Sequence, residues 1–307
     1  MRINSNKKVL FLREEHADGE GTFIYSKRSK YSGNWKNGKR DGLGIHTLSD
    51  GSKYIGLQKE GQRHGKGTEI FKNGEKYSGN WIEGIREGKG IYTWPSGAKY
   101  VGEFKNWDLN GQGTFYYPDG SIYIGEWKNG VRHGKGIHTT TDGDRYEGEW
   151  KNGFTHGKGI DVQANNDVYE GYWVKGEKHG YGVYKMKDLG TYEGQWRNSD
   201  MEGQGTLTFH NGYFIEGLWK KGSPLNATAT WPNGNKYEGE FKNWEWHGKG
   251  KFSVHCGHHI VGIFRDHEPW ETEEYDKNGT LIGKLVDGVQ TMDNSSQIIP
   301  KLEVDNG

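Results

Sequence analysis

Apolar and polar positions alternate with a period of two over short runs, and the runs recur along the chain. In Tyr123-Ile124-Gly125-Glu126-Trp127 the tyrosine, glycine and tryptophan fall on one face of a strand, with Ile124 and Glu126 on the other. Asn129-Gly130 follows, two residues that tolerate positive φ as a tight hairpin turn requires. The chain therefore reverses. Gly134 and Gly136 begin a return strand through Ile137 to Thr140, and Asp142-Gly143 turns into the next unit. Each unit predicts one β-hairpin.

The unit is a repeat. Glycines two places after a strand-opening tyrosine or its equivalent stand at Gly33, Gly56, Gly79, Gly102, Gly125, Gly148, Gly171, Gly194 and Gly217, each 23 residues after the last. The step to Gly239 is 22 and the step to Gly262 is 23 again. A fixed period of this length predicts a solenoid in which each hairpin buries its face against its neighbours. The expected fold is all-β, an elongated single-sheet solenoid of about 11–12 antiparallel β-hairpins, spanning some 110 Å at the usual strand spacing.

Glycine inside a strand costs roughly 0.5–1 kcal/mol relative to alanine, so its recurrence needs a physical reason. If Gly125, Gly134 and Gly136 share a face with Tyr123 and Trp127, the rings can lie flat over bare backbone. A buried aromatic side chain removes about 150–250 Å² from water, which at roughly 25 cal/mol per Å² outweighs the glycine penalty. The expected core is therefore aromatic on glycine: Tyr31, Gly33, Trp35; Tyr77, Gly79, Trp81; Tyr100, Gly102, Phe104; Tyr123, Gly125, Trp127; Tyr146, Gly148, Trp150; Tyr169, Gly171, Trp173; Tyr192, Gly194, Trp196; and Tyr237, Gly239, Phe241.

The segments YIGEWKNGVRHGKG at Tyr123, YEGEWKNGFTHGKG at Tyr146 and YSGNWIEGIREGKG at Tyr77 resemble the MORN (membrane occupation and recognition nexus) repeat, over about residues 8 to 264. Eight units carry the tyrosine, glycine, Trp or Phe, and GxG together. Three depart: Gln58 stands in place of the tryptophan, Asn226 and Thr228 in place of the GxG after Trp219, and Ile260 in place of the tyrosine. Stacking should weaken at those places. FSVHCGHHIVGIF is similar to the terminal segment of MORN proteins of ciliary radial spoke heads. The resemblance implies a non-enzymatic scaffold in cytoskeletal or ciliary assembly, with the axonemal radial spoke as its setting. Alternatives it implies are a peripheral module for anionic phospholipids or phosphoinositides, or the targeting partner of a separate lipid kinase or SET methyltransferase.

Composition refines this. The chain has 307 residues, net charge +0, 14% aromatics and 51 glycines. Neutrality argues against a dedicated nucleic-acid binder, and a high aromatic content argues against disorder. A single cysteine, Cys256, leaves no internal disulfide. The start, MRINSNKKVLFLREE, has an apolar run too short for a signal peptide or membrane span. The expected localisation is cytoplasmic, with cytoskeleton or cilium as the finer setting. The expected domains are a tail and degenerate capping repeat at 1–30, the repeat solenoid at 31–266, a degenerate cap at 267–289 and a disordered tail at 290–307. Self-association into a homodimer through the terminal repeats is a further expectation.

Candidate chemistry is confined to a few rows. Arg40, Arg63, Arg86, Arg132 and Lys178 occupy one repeat position near the hairpin tips, and Lys66, Lys89, Lys135, Lys158 and Lys249 another three residues on. Aligned along an edge they would form a surface for anionic lipid or an acidic protein, or else a solvated edge kept polar against strand pairing. His64, His133, His156, His179 and His247 also recur, but one repeat of roughly 10 Å separates them too far to share an ion. His255-Cys256-Gly257-His258-His259 lacks metal-ligand spacing. No phosphate-cradling loop and no hydrolase or kinase signature occurs, so neither a cofactor nor catalysis is expected. Tyr92, Phe115, Tyr116 and Tyr184 on return strands either line a groove for a partner helix or peptide or stack internally.

Overall fold

A computed structural model describes residues 9–10 and 17–291, and all of their regular structure is β-strand. The tail expected at 290–307 lies, but for its first two residues, outside the described residues. The chain divides into two units, Met1–Ala164 and Asn165–Gly307. In the first, strands from Gly19–Ser26 to Phe154–Val162 pair antiparallel with their sequence neighbours. Val9–Leu10 adds in parallel against Gly21 and Thr22, covering part of that strand's open edge. In the second unit, strands from Val168–Val174 to Val289–Gln290 pair antiparallel in the same way. The hairpins predicted by the alternation are present in both.

The hairpin Ile122–Lys128 with Val131–Thr139 shows how the sequence specifies the unit. Asn129 (φ 50°) and Gly130 (φ 79°) are both left-handed, as a two-residue turn matched to strand twist demands. Gly125 pairs with Gly136, yet the next pair is Glu126 with His133, so Gly134 and Lys135 bulge out of the ladder. Glu126 closes the bulge with its side chain, whose carboxylate accepts the Lys135 N–H at 2.8 Å. The Tyr123 hydroxyl donates to the Glu126 carbonyl at 3.1 Å. This bond to the carbonyl three residues on recurs from Tyr31 to Tyr237.

The two glycines of GxG have different causes. A Cβ on Gly136 would lie 2.3 Å from the Tyr123 hydroxyl oxygen and 2.5 Å from Cζ, and one on Gly125 would lie 2.5 Å from the Gly136 Cα. Those two glycines make room for the ring. Gly134 does not share their face: its Cβ would meet the Glu126 carboxyl carbon at 2.4 Å, and its φ of +59° is what requires glycine there. The rings also do not all lie flat. Tyr123 meets Trp127 of its own hairpin and Trp150 of the next edge to face, each at 5.2 Å. The Trp150 indole N–H donates to the Gly136 carbonyl at 3.1 Å, tying one hairpin to the one before. Trp35, Trp81, Trp127, Trp196 and Trp219 do the same.

The departing units obey the same steric rule. After Trp219 it is Ala227, not Thr228, that stands opposite Gly217, because the 22-residue step removes one bulge residue. That hairpin has Ile215 at the position of the tyrosine. In the hairpin opened by Ile260, Thr272 stands opposite Gly262. Where the ring is absent, the glycine beneath it is absent too. Gln58, at the tryptophan position, is 4% exposed with neither amide atom hydrogen-bonded.

Candidate docking faces

Strand alternation gives the sheet of the first unit one face bearing the tyrosines and an opposite face bearing residues such as Ile55, Lys66 and Ile91. The two rows of cations divide between them. Arg86 is nearly buried, its guanidinium 5.0–5.2 Å from the rings of Phe71, Tyr77, Tyr92 and Trp107. Glu69, 5% exposed, accepts from Arg86 at 3.2 Å and pairs with Arg63 at 2.7 Å. Arg40 donates to the His46 ring nitrogen at 2.8 Å and the Gly61 carbonyl at 2.6 Å. Arg132 donates to the Gly153 carbonyl and lies 4.2 Å over Trp150. In the second unit the Lys178 ammonium sits 3.9 Å over Tyr184. These five cations are therefore not an open anionic-ligand edge. Cation–π attraction and shielding of the rings fold them onto the tyrosine face. Burial also holds His46 down at a pKa of about 4, with Arg40 and then Arg63 adding to the effect.

The second cation row remains at the surface: Lys66, Lys89, Lys135, Lys158 and Lys249 are exposed. Across the seams between hairpins Lys89 stands opposite Glu103 and Lys135 opposite Glu149, whereas Lys66 faces Asn80 and Lys249 faces Ile263.

On the same face runs an open groove of about 840 Å³. Its floor is a cross-strand ladder in which Ile55 opposes Thr68, Thr68 opposes Ser78, Ser78 opposes Ile91, Ile91 opposes Val101, and Val101 opposes Thr114. Beside it the glycine row contributes only backbone, which is why the surface is hollow there. Leu43, Ile55, Ile91 and Ile124 are 59, 40, 40 and 53% exposed. Lys66 and Lys89 line the groove without an ion pair among the described residues.

The return-strand aromatics do not build that groove. Tyr92, Phe115 and Tyr184 pack on the tyrosine face, Tyr92 against Trp94 at 4.4 Å, Phe115 against Trp127 at 5.8 Å, and Tyr184 against Trp196 at 6.0 Å. Tyr116 points to the other face and is 39% exposed. Among the described residues no group of three or more His, Cys, Asp or Glu is placed to share a metal ion. Cys256 is exposed and His259 stacks on Tyr275 at 5.2 Å. Among the described residues no helix is long and apolar enough to cross a membrane.

Sequence reasoning missed three features. One is the bulge-closing acceptor after the YxG glycine, whose signal was the recurring Glu126, Glu149 and Gln195. Another is the joint loss of tyrosine and glycine. The third is Trp107, which takes a left-handed φ of 77° at a turn position where glycine is the rule.

Comparison with known proteins agrees with the fold. The MORN repeat model matches residues 31–53, 54–76, 77–99, 100–122, 123–145, 146–160, 169–191, 192–212 and 237–253. These nine matches cover more than half of the chain, which belongs to the MORN-repeat family. It is a repeat protein of a family whose modules mediate protein or lipid interactions. No curated protein matches it. Among solved structures it is similar to the TCP10 domain of Danio rerio CPAP in complex with a peptide of Danio rerio STIL, at 10% identity and TM-score 0.38, over 76% of this chain and 99% of that one. It is also similar to the SAS-4 (dCPAP) TCP domain of Drosophila melanogaster with a proline-rich motif of Ana2, at 13% identity and TM-score 0.28, over 58% and 85%. At these TM-scores the likenesses carry no argument about function.

Proposed function

We propose that this chain is a non-enzymatic scaffold that holds other proteins in a cytoskeletal or ciliary structure, the radial spoke of the axoneme being the specific setting. The observation that carries the reading is the groove: four exposed aliphatic side chains on a hollow floor, with two ammonium groups beside them that have no ion pair among the described residues. Exposed apolar surface of this kind marks protein contact sites. A partner segment presenting aliphatic side chains and a carboxylate towards Lys66 and Lys89 fits it. The ciliary setting comes from the sequence resemblance.

The test is affinity capture from ciliated cells with the wild-type chain and with Leu43→Glu and Ile124→Glu variants. Axonemal proteins retained by the wild type and lost from the folded variants are the expected result. Equal recovery by all three would remove the groove from the reading. Flotation with anionic vesicles that is lost on changing Lys66, Lys89 and Lys135 to glutamate, with no protein captured, would replace it by a membrane role.

A further inference from the structure

The tyrosine face of the first unit carries a second surface, remote from the groove. Phe71, Trp94 and Tyr117 open three successive turns between hairpins, and each is half-buried. Tyr92 and Phe115 stand between them, giving an unbroken chain of rings with centroid steps of 6.3, 4.4, 5.3 and 4.5 Å from Phe71 to Tyr117. Arg86 lies beneath the Phe71 and Tyr92 rings and fixes them from inside. The Trp94 indole N–H and the Tyr117 hydroxyl make no hydrogen bond among the described residues, and neither is sealed from solvent.

The spacing selects an occupant. Successive turns are one repeat apart, two strands or about 9.6 Å at the usual 4.8 Å per strand. A polyproline II helix repeats every three residues at about 3.1 Å each, or roughly 9.3 Å. A segment lying across the strands would thus set every third residue on Phe71, Trp94 and Tyr117 in turn. An α-helix returns to the same face about every 10.5 Å, seven residues at about 1.5 Å each, and would drift by about 0.9 Å at each turn where the polyproline II helix drifts by about 0.3 Å. A polyproline II segment also leaves its carbonyls without internal partners, and the two free donors supply them. The electron-rich ring faces complement the polarised C–H groups of proline rings.

We propose that this strip binds a proline-rich segment of P-x-x-P-x-x-P pattern in the polyproline II conformation. The site goes beyond the scaffold reading and does not use the groove. The test is fluorescence anisotropy of fluorescein-labelled nonaproline with the full chain. Saturable binding with a dissociation constant under about 1 mM is expected. Trp94→Ala should weaken it about tenfold, and Tyr117→Phe, which keeps the ring and removes the donor, about threefold. Ile124→Glu, in the groove, should leave it unchanged. No saturable signal from folded wild-type chain, or equal binding by folded Trp94→Ala and Tyr117→Phe variants, would overturn the proposal. So would a strip whose variants instead lose anionic-vesicle binding or shift a dimer to monomer in sedimentation.

Discussion

Replacing Gly136 with alanine puts one methyl group where the Tyr123 ring already is. The new Cβ would lie 2.3 Å from the hydroxyl oxygen, 2.5 Å from Cζ and 2.6 Å from Cε2. The ring cannot swing away cheaply, being fully buried and hydrogen-bonded to the Glu126 carbonyl. Overpacking of this kind costs about 1–3 kcal/mol, and losing the hydroxyl's bond adds about 1 kcal/mol. A destabilisation of about 3 kcal/mol is therefore expected. Tyr123→Ile alone should cost a similar amount, from buried ring area and the same lost bond. The combination copies what Ile215 with Ala227 already does, so the double variant should be no less stable than Tyr123→Ile by more than about 1 kcal/mol. Chemical denaturation of the four proteins measures the cycle. Penalties that simply add, to within about 0.5 kcal/mol, would refute the claim that this tyrosine and this glycine answer to one another.

Three further outcomes follow from the same geometry. Gln58→Leu removes a buried amide with no partner and should stabilise the protein by about 1–2 kcal/mol, seen as a higher denaturation midpoint. Arg86→Ala leaves Glu69 buried with a single partner and should cost about 3 kcal/mol, whereas Lys89→Ala should change stability by less than about 0.5 kcal/mol; similar losses for the two would contradict their different burial. His46 is neutral in the fold with a pKa of about 4 against the ordinary 6.5, so as pH falls through that window the unfolded chain takes up a proton that the folded one refuses. Stability should then drop by about 2 kcal/mol between pH 6.5 and 4, and His46→Gln should flatten that part of the profile relative to the wild type.

How much of this was legible in the sequence depended on whether a feature repeats. The hairpins, their turns at Asn129-Gly130 and the ring-on-glycine contact all follow from alternation and spacing, because eight copies carry the same constraint. The bulge did not show, since Gly134 and Gly136 look alike in sequence while one answers to backbone φ and the other to a ring. The fate of the arginines was hidden for another reason. A cation near a hairpin tip can extend into water or bend back over aromatic rings, and only the rings of neighbouring strands decide which. Lys66 and Lys89 stay outside because alternation sends them to the face away from the tyrosine and tryptophan rows.

Where a hairpin carries the tryptophan, its indole bonds a glycine carbonyl of the hairpin before it, so the earlier hairpin's socket is completed by its successor's plug. Excising 23 residues between equivalent positions, such as 100–122, would present Tyr77 with Trp127 in place of Phe104 and leave the fit unchanged in kind. Genes can therefore lengthen or shorten either unit by whole hairpins of about 9.6 Å, while a single inserted residue would turn a face inside out.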